Sequence, residues 1–292
     1  MRLGLLFLSL YSVPSSTTSD DTTIPYTHPI SALPYLSLHQ PSLLGCFTFD
    51  GSLDNLATST YNDSPTAPPA TLHTEDGSTT PIYNNDAIND KAIYFDGQTY
   101  LSVPLDVNHI NSPKLTMGAW VKAGAFRTSD ADSSSDYNPA ASILTIDNGN
   151  NGRGLNLKHN VGFVAKTGSS GFGDSTPIAF KPDTWQFVAV IYNQQDSTVT
   201  LYVDGESVTS TSKITQGGRP NLRIGGNSAV GTNFRGSLDS AFVYSKALTT
   251  NELDYLRLAG PTPMDNVAGS AGYSVSLDGG RHVEVEGTDA LR

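Results

Sequence analysis

The sequence predicts an all-β protein, a two-sheet antiparallel sandwich with one short helix near its C-terminal end. Three observations predict it. From Leu43 onward nine or more short runs of alternating apolar residues follow one another, among them "KLTMGAWVKA", "TWQFVAVIYN" and "TVTLYVDGESV". Asp-Gly, Asn-Gly and proline separate them, the punctuation of turns. No helical periods alternate with them, which argues for antiparallel pairing and against a parallel sheet with crossover helices.

The elements follow in chain order. "MRLGLLFLSLYSVPSS" carries Arg2, an apolar run over Leu3–Val13 and then small residues. It reads as a secretory signal peptide over residues 1–15, the alternative being an apolar start in front of a linker. The apolar run is too short to cross a bilayer, which takes about 20 residues. Residues 16–42 are rich in Ser, Thr and Pro without sustained periodicity and read as a flexible leader. The strand signals then run to Gly260, so residues 43–260 are the folded domain.

Alternation assigns the faces. In "TVTLYVDGESV" it sets Val199, Leu201 and Val203 on one face and Thr198, Thr200 and Tyr202 on the other. Asp204-Gly205 supplies the positive φ angles of a tight hairpin, and "FDGQTY" at Phe95–Tyr100 reads as the same device. The polar inserts Asn55–Asp90, Gly124–Ala140 and Ser169–Phe180 are predicted surface loops, where binding is usually housed on a rigid scaffold.

After the strand "GSLDSAFVYS", Thr249 and Glu252 have the spacing of a capping box. Leu253 and Leu256 share a face, and Gly260 and Pro261 end the helix. The remainder, residues 261–292, reads as a linker plus hairpin. "YSVSLDGGRHVEVEG" echoes "KAIYFDGQTYLSVPL", as the start of a truncated second copy would; a plain C-terminal hairpin docking on the first domain is the alternative.

Composition narrows the partners. Twenty-eight acidic residues against 17 Lys and Arg give a net charge of −11, and such a surface repels phosphate backbones and anionic lipid heads. Nucleic acid and direct membrane insertion are therefore excluded as expectations. The single cysteine, Cys46, forms no intrachain disulfide and reads as a small buried hydrophobe.

The ordered series "GCFTFDGSLDN", "KAIYFDGQTYLSVP", "LTMGAWVKA", "DTWQFVAVIYN", "TVTLYVDGESV", "LRIGGN" and "GSLDSAFVYSKALTTNEL" resembles the LamG-like (laminin G-like) domains of the concanavalin A-like lectin/glucanase superfamily. The resemblance covers roughly Leu43 to Gly260. It implies a jelly roll, an extracellular setting, and recognition of carbohydrate or of protein surfaces in cell adhesion. It also implies a structural calcium ion at the sandwich edge, with Asp50, Asp54 and Asp239 as its carried-over ligands. Calcium takes six to eight oxygens, which carboxylates and turn carbonyls supply. The plainer alternative is that Asp50 and Asp54 form turns and Asp239 bonds to backbone amides.

Enzymes share this fold, so catalytic acids have to be sought. Glycoside cleavage needs two carboxyls flanking the bond, and the Glu-x-Asp-x-Glu strand patterns of the sandwich hydrolases are missing. The six histidines form no metal-binding pair, and no G-x-S-x-G elbow occurs. "DNGNNGRGLNLK" places Lys158 where an EF-hand needs a glutamate. As a strand-connecting loop it offers Asp147, Asn148, Asn150 and Asn151 to a sugar or cation, a turn made for geometry being the plainer alternative. Tyr137, Phe126, Phe172 and Phe234 are the candidate aromatic platforms. The expected protein is a secreted or cell-surface, non-enzymatic module binding a glycan or an extracellular protein. A glycoside hydrolase and a structural adhesin spacer are the alternatives.

Overall fold

The computed structural model describes residues 42–57, 67–74, 80–124, 140–146, 152–158, 161–168, 174–215, 217–227 and 233–259, together with the backbone of 273–276 and 284–287. Two antiparallel sheets face each other. The larger has the order β12 (Glu206–Thr211), β11 (Thr198–Val203), β10 (Gln186–Asn193), β6 (Lys114–Ala123), β14 (Arg235–Tyr244), β4 (Ala92–Asp96) and β3 (Ile82–Asn84). β1 (Leu43–Phe47) also pairs with β14. The smaller sheet has the order β2 (Thr71–Thr74), β5 (Thr99–Val103), β13 (Leu222–Ile224), β7 (Ala140–Thr145), β8 (Gly154–Lys158) and β9 (Gly162–Ala165). The predicted sandwich is observed.

Between the sheets lies one apolar core. Val199, Leu201 and Val203 enter it from β11, Leu101 and Val103 from β5, and Leu155 and Leu157 from β8. The larger sheet is buried on its outer face as well. There Phe187, Ala189, Tyr202, Phe242 and Tyr244 meet Leu253 of helix α1 (Thr250–Ala259). This explains why "QFVAVIY" in β10 is almost continuously apolar, since a strand covered on both sides has no solvent face to mark. Cys46 packs half-buried at the edge of this second core, a little more open than expected.

The helix is capped as its spacing predicts. The Thr249 amide donates to Glu252 Oε2 at 2.7 Å, and the Glu252 amide donates to Thr249 Oγ1 at 3.2 Å. Asp254 Oδ1 then accepts the Tyr202 hydroxyl at 2.7 Å, fastening the helix to β11.

Three expectations are corrected. Asp204 and Gly205 do form the hairpin between β11 and β12, with φ of 50° and 103°. Asp96-Gly97 does not: β4 and β5 belong to different sheets, so this turn carries the chain across the sandwich edge while Phe95 and Leu101 both enter the core. The insert Asn55–Asp90 contains β2 and β3, strands too short and too polar to show a period. The segment Ser169–Phe180 is also more than a loop, because Asp174 and Ile178 bridge to Lys166 and Phe163 along β9.

Arg153, from the loop weighed above as a ligand site, is fully buried. Its Nη1 donates to the carbonyls of Val107 and Ser112 at 3.2 and 2.6 Å, and its guanidinium lies 5.1 Å from the Tyr192 ring centre. Burial lowers its pKa to about 10, which leaves it charged at neutral pH. β15 (Tyr273–Ser276) and β16 (Glu284–Gly287) pair as a separate two-stranded hairpin.

Truncating the helix anchor gives a direct check on the second core. Leu253→Ala is expected to cost about 2–5 kcal/mol, read as a lowered denaturant midpoint with an unchanged slope.

Candidate functional site

Strand β14 organises the corner to which the carried-over aspartates belong. On one edge it pairs with β4 through Arg235–Leu238 and with β1 through Ala241–Tyr244. The changeover falls on a bulge at Asp239 and Ser240, where the register against β6 shifts and Ser240 takes φ of 52°. β1 ends and β4 begins at this point, so the chain on both sides needs backbone partners that no strand supplies.

Asp239 supplies them. It is fully buried; its Oδ2 accepts the amides of Ile88 and Asn89 at 2.9 and 3.1 Å, and its Oδ1 accepts the Ser240 hydroxyl at 2.7 Å. Asp50, just after β1, accepts the Lys91 amide at 3.2 Å. The segment leading into β4 is thus held by two aspartates, one from each neighbouring strand. Phe49 (φ 61°) and Asp90 (φ 37°) join Ser240 in the left-handed region, so backbone strain is concentrated here. Asp54 stands apart: it is exposed and bonded to Ser52 by side chain and amide. Among the described residues no three acidic, histidine or cysteine side chains converge as a metal cluster.

The charge balance at this corner is unfavourable. Burial pushes the Asp239 carboxyl up to about 6; its three hydrogen bonds oppose the rise, and the charge on Asp50 adds to it. The Lys91 ammonium lies beside the turn at Gly51. Carboxylate oxygens are hard donors of the kind calcium takes, and of the three carried-over acids only Asp50 and Asp239 act on each other here.

The remaining predicted ligand residues, Tyr137, Asp147, Asn148, Asn150 and Asn151, lie outside the described residues, as do Phe126 and Phe172. Phe234 is not a platform: it is fully buried and packs edge-on against Phe95 at 6.4 Å. The flanking strand pattern makes it core.

A different site stands on the outer face of the smaller sheet. Leu101 and Val103 of β5 point to the core, so Tyr100 and Ser102 point away, and Arg223 of β13 lies opposite Ser102. His73 of β2 pairs with Tyr100 and stacks on it, ring centres 4.9 Å apart and planes 6° from parallel. The Arg223 guanidinium lies 4.6 Å from the Tyr100 ring centre, and its Nη1 donates to the Asn227 carbonyl at 2.7 Å. Beside this stack run Asn227, Asn233, Ser142 and Asn156, all buried and polar. The Oδ1 atoms of Asn156 and Asn227 are buried without a hydrogen-bond partner. Sequence reasoning missed this strip, although alternation in "TYLSV" and "LRI" already turns Tyr100 and Arg223 outward.

A family model described as the concanavalin A-like lectin/glucanases superfamily matches residues 95–254, more than half of the chain. The chain belongs to that superfamily. No curated protein matches it. Among solved structures, this superfamily member is similar to domain 4 of AbnA, an extracellular GH43 arabinanase from Geobacillus stearothermophilus, in complex with arabinotriose. That likeness has a TM-score of 0.53 at 20% identity, covering 75% of this chain and 98% of that one. It is also similar to the binding domain of Paraclostridial Mosquitocidal Protein 1 (TM-score 0.52, 16% identity, 74% of this chain and 52% of that one). The binding domain of botulinum neurotoxin DC in complex with SialylT gives 0.51 at 12% identity, covering 75% and 52%. The chain spans about half the length of the two toxin domains. At these identities the likeness is one of fold.

Asp239 gives the superfamily member a testable pH response. As pH rises past 3.8 the unfolded chain releases this proton first, while the folded state holds it until about 6, so stability falls across that window. In chelator-containing buffer, the wild type is expected to lose roughly 1 kcal/mol more than Asp239→Asn between pH 5 and pH 7. Urea titrations at the two pH values measure it; parallel changes in both proteins would mean that the carboxyl does not titrate there.

Proposed function

We propose that this chain is a non-catalytic glycan-binding module, secreted or displayed at a cell surface, with its site on the outer face of the smaller sheet. One observation carries the reading. Helix α1 covers the outer face of the larger sheet around Phe187, Tyr202 and Phe242, whereas the smaller sheet presents the stacked His73, Tyr100 and Arg223 beside a row of buried amides and hydroxyls. Sugars are bound by that combination, with the ring C–H face against an aromatic plane and the hydroxyls against fixed polar groups. Folds that it resembles add support, since one is bound to arabinotriose and another to SialylT.

The acids on that face favour binding over cleavage. Asp174, the acid bridged to β9, is paired with Lys158 of β8, and among the described residues no second carboxylate faces it across the strip. A two-acid hydrolysis requires both. A glycan array probed at millimolar calcium is expected to return a defined set of sugars, and Tyr100→Ala is expected to weaken the best of them roughly ten- to thirtyfold with an unchanged melting temperature. A blank array would favour the spacer reading, and release of reducing ends from the bound sugar would favour the hydrolase.

We further infer that a calcium ion belongs at the β14 corner, held by Asp50, Asp239 and carbonyls of the neighbouring turns. Its role there is structural: a divalent charge would offset the repulsion between the two carboxylates and hold Asp239 ionised. Melting at pH 7 in excess chelator and then in 2 mM calcium, about a hundredfold above a ~20 µM site, is expected to show a rise worth roughly 3 kcal/mol. Asp50→Asn should abolish most of it. An unchanged midpoint in the wild type would remove calcium from the account and leave the glycan reading standing.

A further inference from the structure

We propose that the strip on the smaller sheet is selective for carboxylate-bearing sugars, with the Arg223 guanidinium as the group that binds the acid; this rests on the glycan-binding reading above. Four of the described cations pair with carboxylates. Lys122 pairs with Asp86, Lys158 with Asp174, Lys246 with Glu252 and Arg257 with Asp254. In a chain with 28 acidic residues a carboxylate is the readiest neighbour for any cation. Arg223 has none among the described residues. The charges that reach it are Arg219, which lowers its pKa after burial has done so, and the Tyr100 hydroxyl. A half-buried guanidinium is left next to a second arginine in a protein of net charge −11.

It is also held still. The Nη1 bond to the Asn227 carbonyl and the Tyr100 ring fix the plane of the fork. Gly226 allows the β13 turn to press in, since a Cβ there would lie 2.9 Å from Tyr100 Cβ and 2.3 Å from Asn233 Oδ1. A pre-oriented guanidinium matches a carboxylate through paired N–H donors, and orientation reduces the entropy lost on binding. A neutral sugar needs an aromatic face and hydroxyl partners but no cation. An acidic pyranose needs a ring face and a cation on one surface; Tyr100 is held between His73 and Arg223, so the exposed His73 ends the aromatic stack and Arg223 places the cation at its other end. Ser102, opposite Arg223 and 3.5 Å from the Asn221 amide nitrogen, adds a hydroxyl partner on the same side.

Two pairs of probes differing only in charge test this by titration calorimetry on the full chain. One pair is 3′-sialyllactose against the methyl ester of its sialic acid, and the other is trigalacturonate against its methyl ester. At least one acid is expected to bind about tenfold or more tightly than its neutral counterpart, and the pair that does so identifies the source as sialate or uronate. Raising NaCl should shrink that advantage in the wild type. Arg223→Gln should bring the ratio of acid to neutral affinity close to one, with Arg223→Lys between the two. Equal affinity for acid and neutral forms overturns the proposal and leaves glycan binding intact; no binding of any probe overturns both. Should Arg223→Gln fail to fold, the acid-to-neutral ratio and its salt dependence in the wild type decide.

Discussion

Strand β14 has to be buried on both faces and paired on both edges, and much of the architecture follows from how that is achieved. Its inner face carries Leu238, Ala241 and Val243 into the sandwich, and its outer face carries Phe242 and Tyr244 under helix α1. One edge is taken by β6 along its length, but the other is shared by β1 and β4, which run end to end. Wherever two strands abut along a third, backbone groups at the seam lose their ladder partners, and leaving such groups unmet in a buried place costs about 1–3 kcal/mol each. The bulge at Asp239 and Ser240 lies on the seam, and the Asp239 carboxylate replaces the missing acceptors for Ile88 and Asn89. A carboxylate suits the task because its two oxygens together accept the bonds from Ile88, Asn89 and Ser240 while bringing no donor of their own to satisfy.

The same constraint separates the two faces of the molecule. Since β10 and the second half of β14 are apolar on both sides, this part of the larger sheet needs a cover, and the capped helix with the chain around Ala57 and Ala67 provides it. The smaller sheet is different. Its strands alternate, with leucine, isoleucine and phenylalanine inward and Tyr100, Ser102, Arg223, Asn156 and Lys158 outward. Among the described residues of that row Tyr100, Ser102 and Arg223 are part-exposed, while Ser142 and Asn156 are buried. The free edge of β1 is closed without a strand: Asn55 Oδ1 accepts the Cys46 amide at 2.9 Å and its Nδ2 donates to the Leu44 carbonyl at 3.1 Å, which denies that edge to another chain.

The legible parts of this sequence are those where period and burial coincide. Alternation gave the faces of β11, the capping box gave the start of α1, and the ordered motifs gave the sandwich. β2 and β3 escaped notice because their four and three residues lie on sheet edges, where one exposed face and few apolar residues leave no pattern. "FDG" was misread as a hairpin for a related reason. A glycine at φ 88° turns the chain equally well within a sheet or between sheets, and only the partners of β4 and β5, far away in sequence, decide which. The strip of His73, Tyr100 and Arg223 joins residues from three strands up to 150 positions apart. Each residue alone reads as an ordinary outward side chain, and the chemistry exists only in their register.

The two sites therefore stand in different relations to the core. The β14 corner lies within the larger sheet and holds strain, a buried carboxyl and the seam between two strands. Its contribution is to the stability of the whole sandwich. The strip sits on the opposite sheet, on residues that face away from the core, and its geometry is fixed locally by a cation–π contact, a ring stack and one hydrogen bond to a turn carbonyl. No rearrangement of the corner is needed to assemble it. Changes at Asp50 or Asp239 should then act on ligand affinity only through the fraction folded, because a densely packed core resists small local shifts. Recognition on such a scaffold can vary with a few outward residues while the interior stays as it is, and a fold that serves binding benefits from that separation.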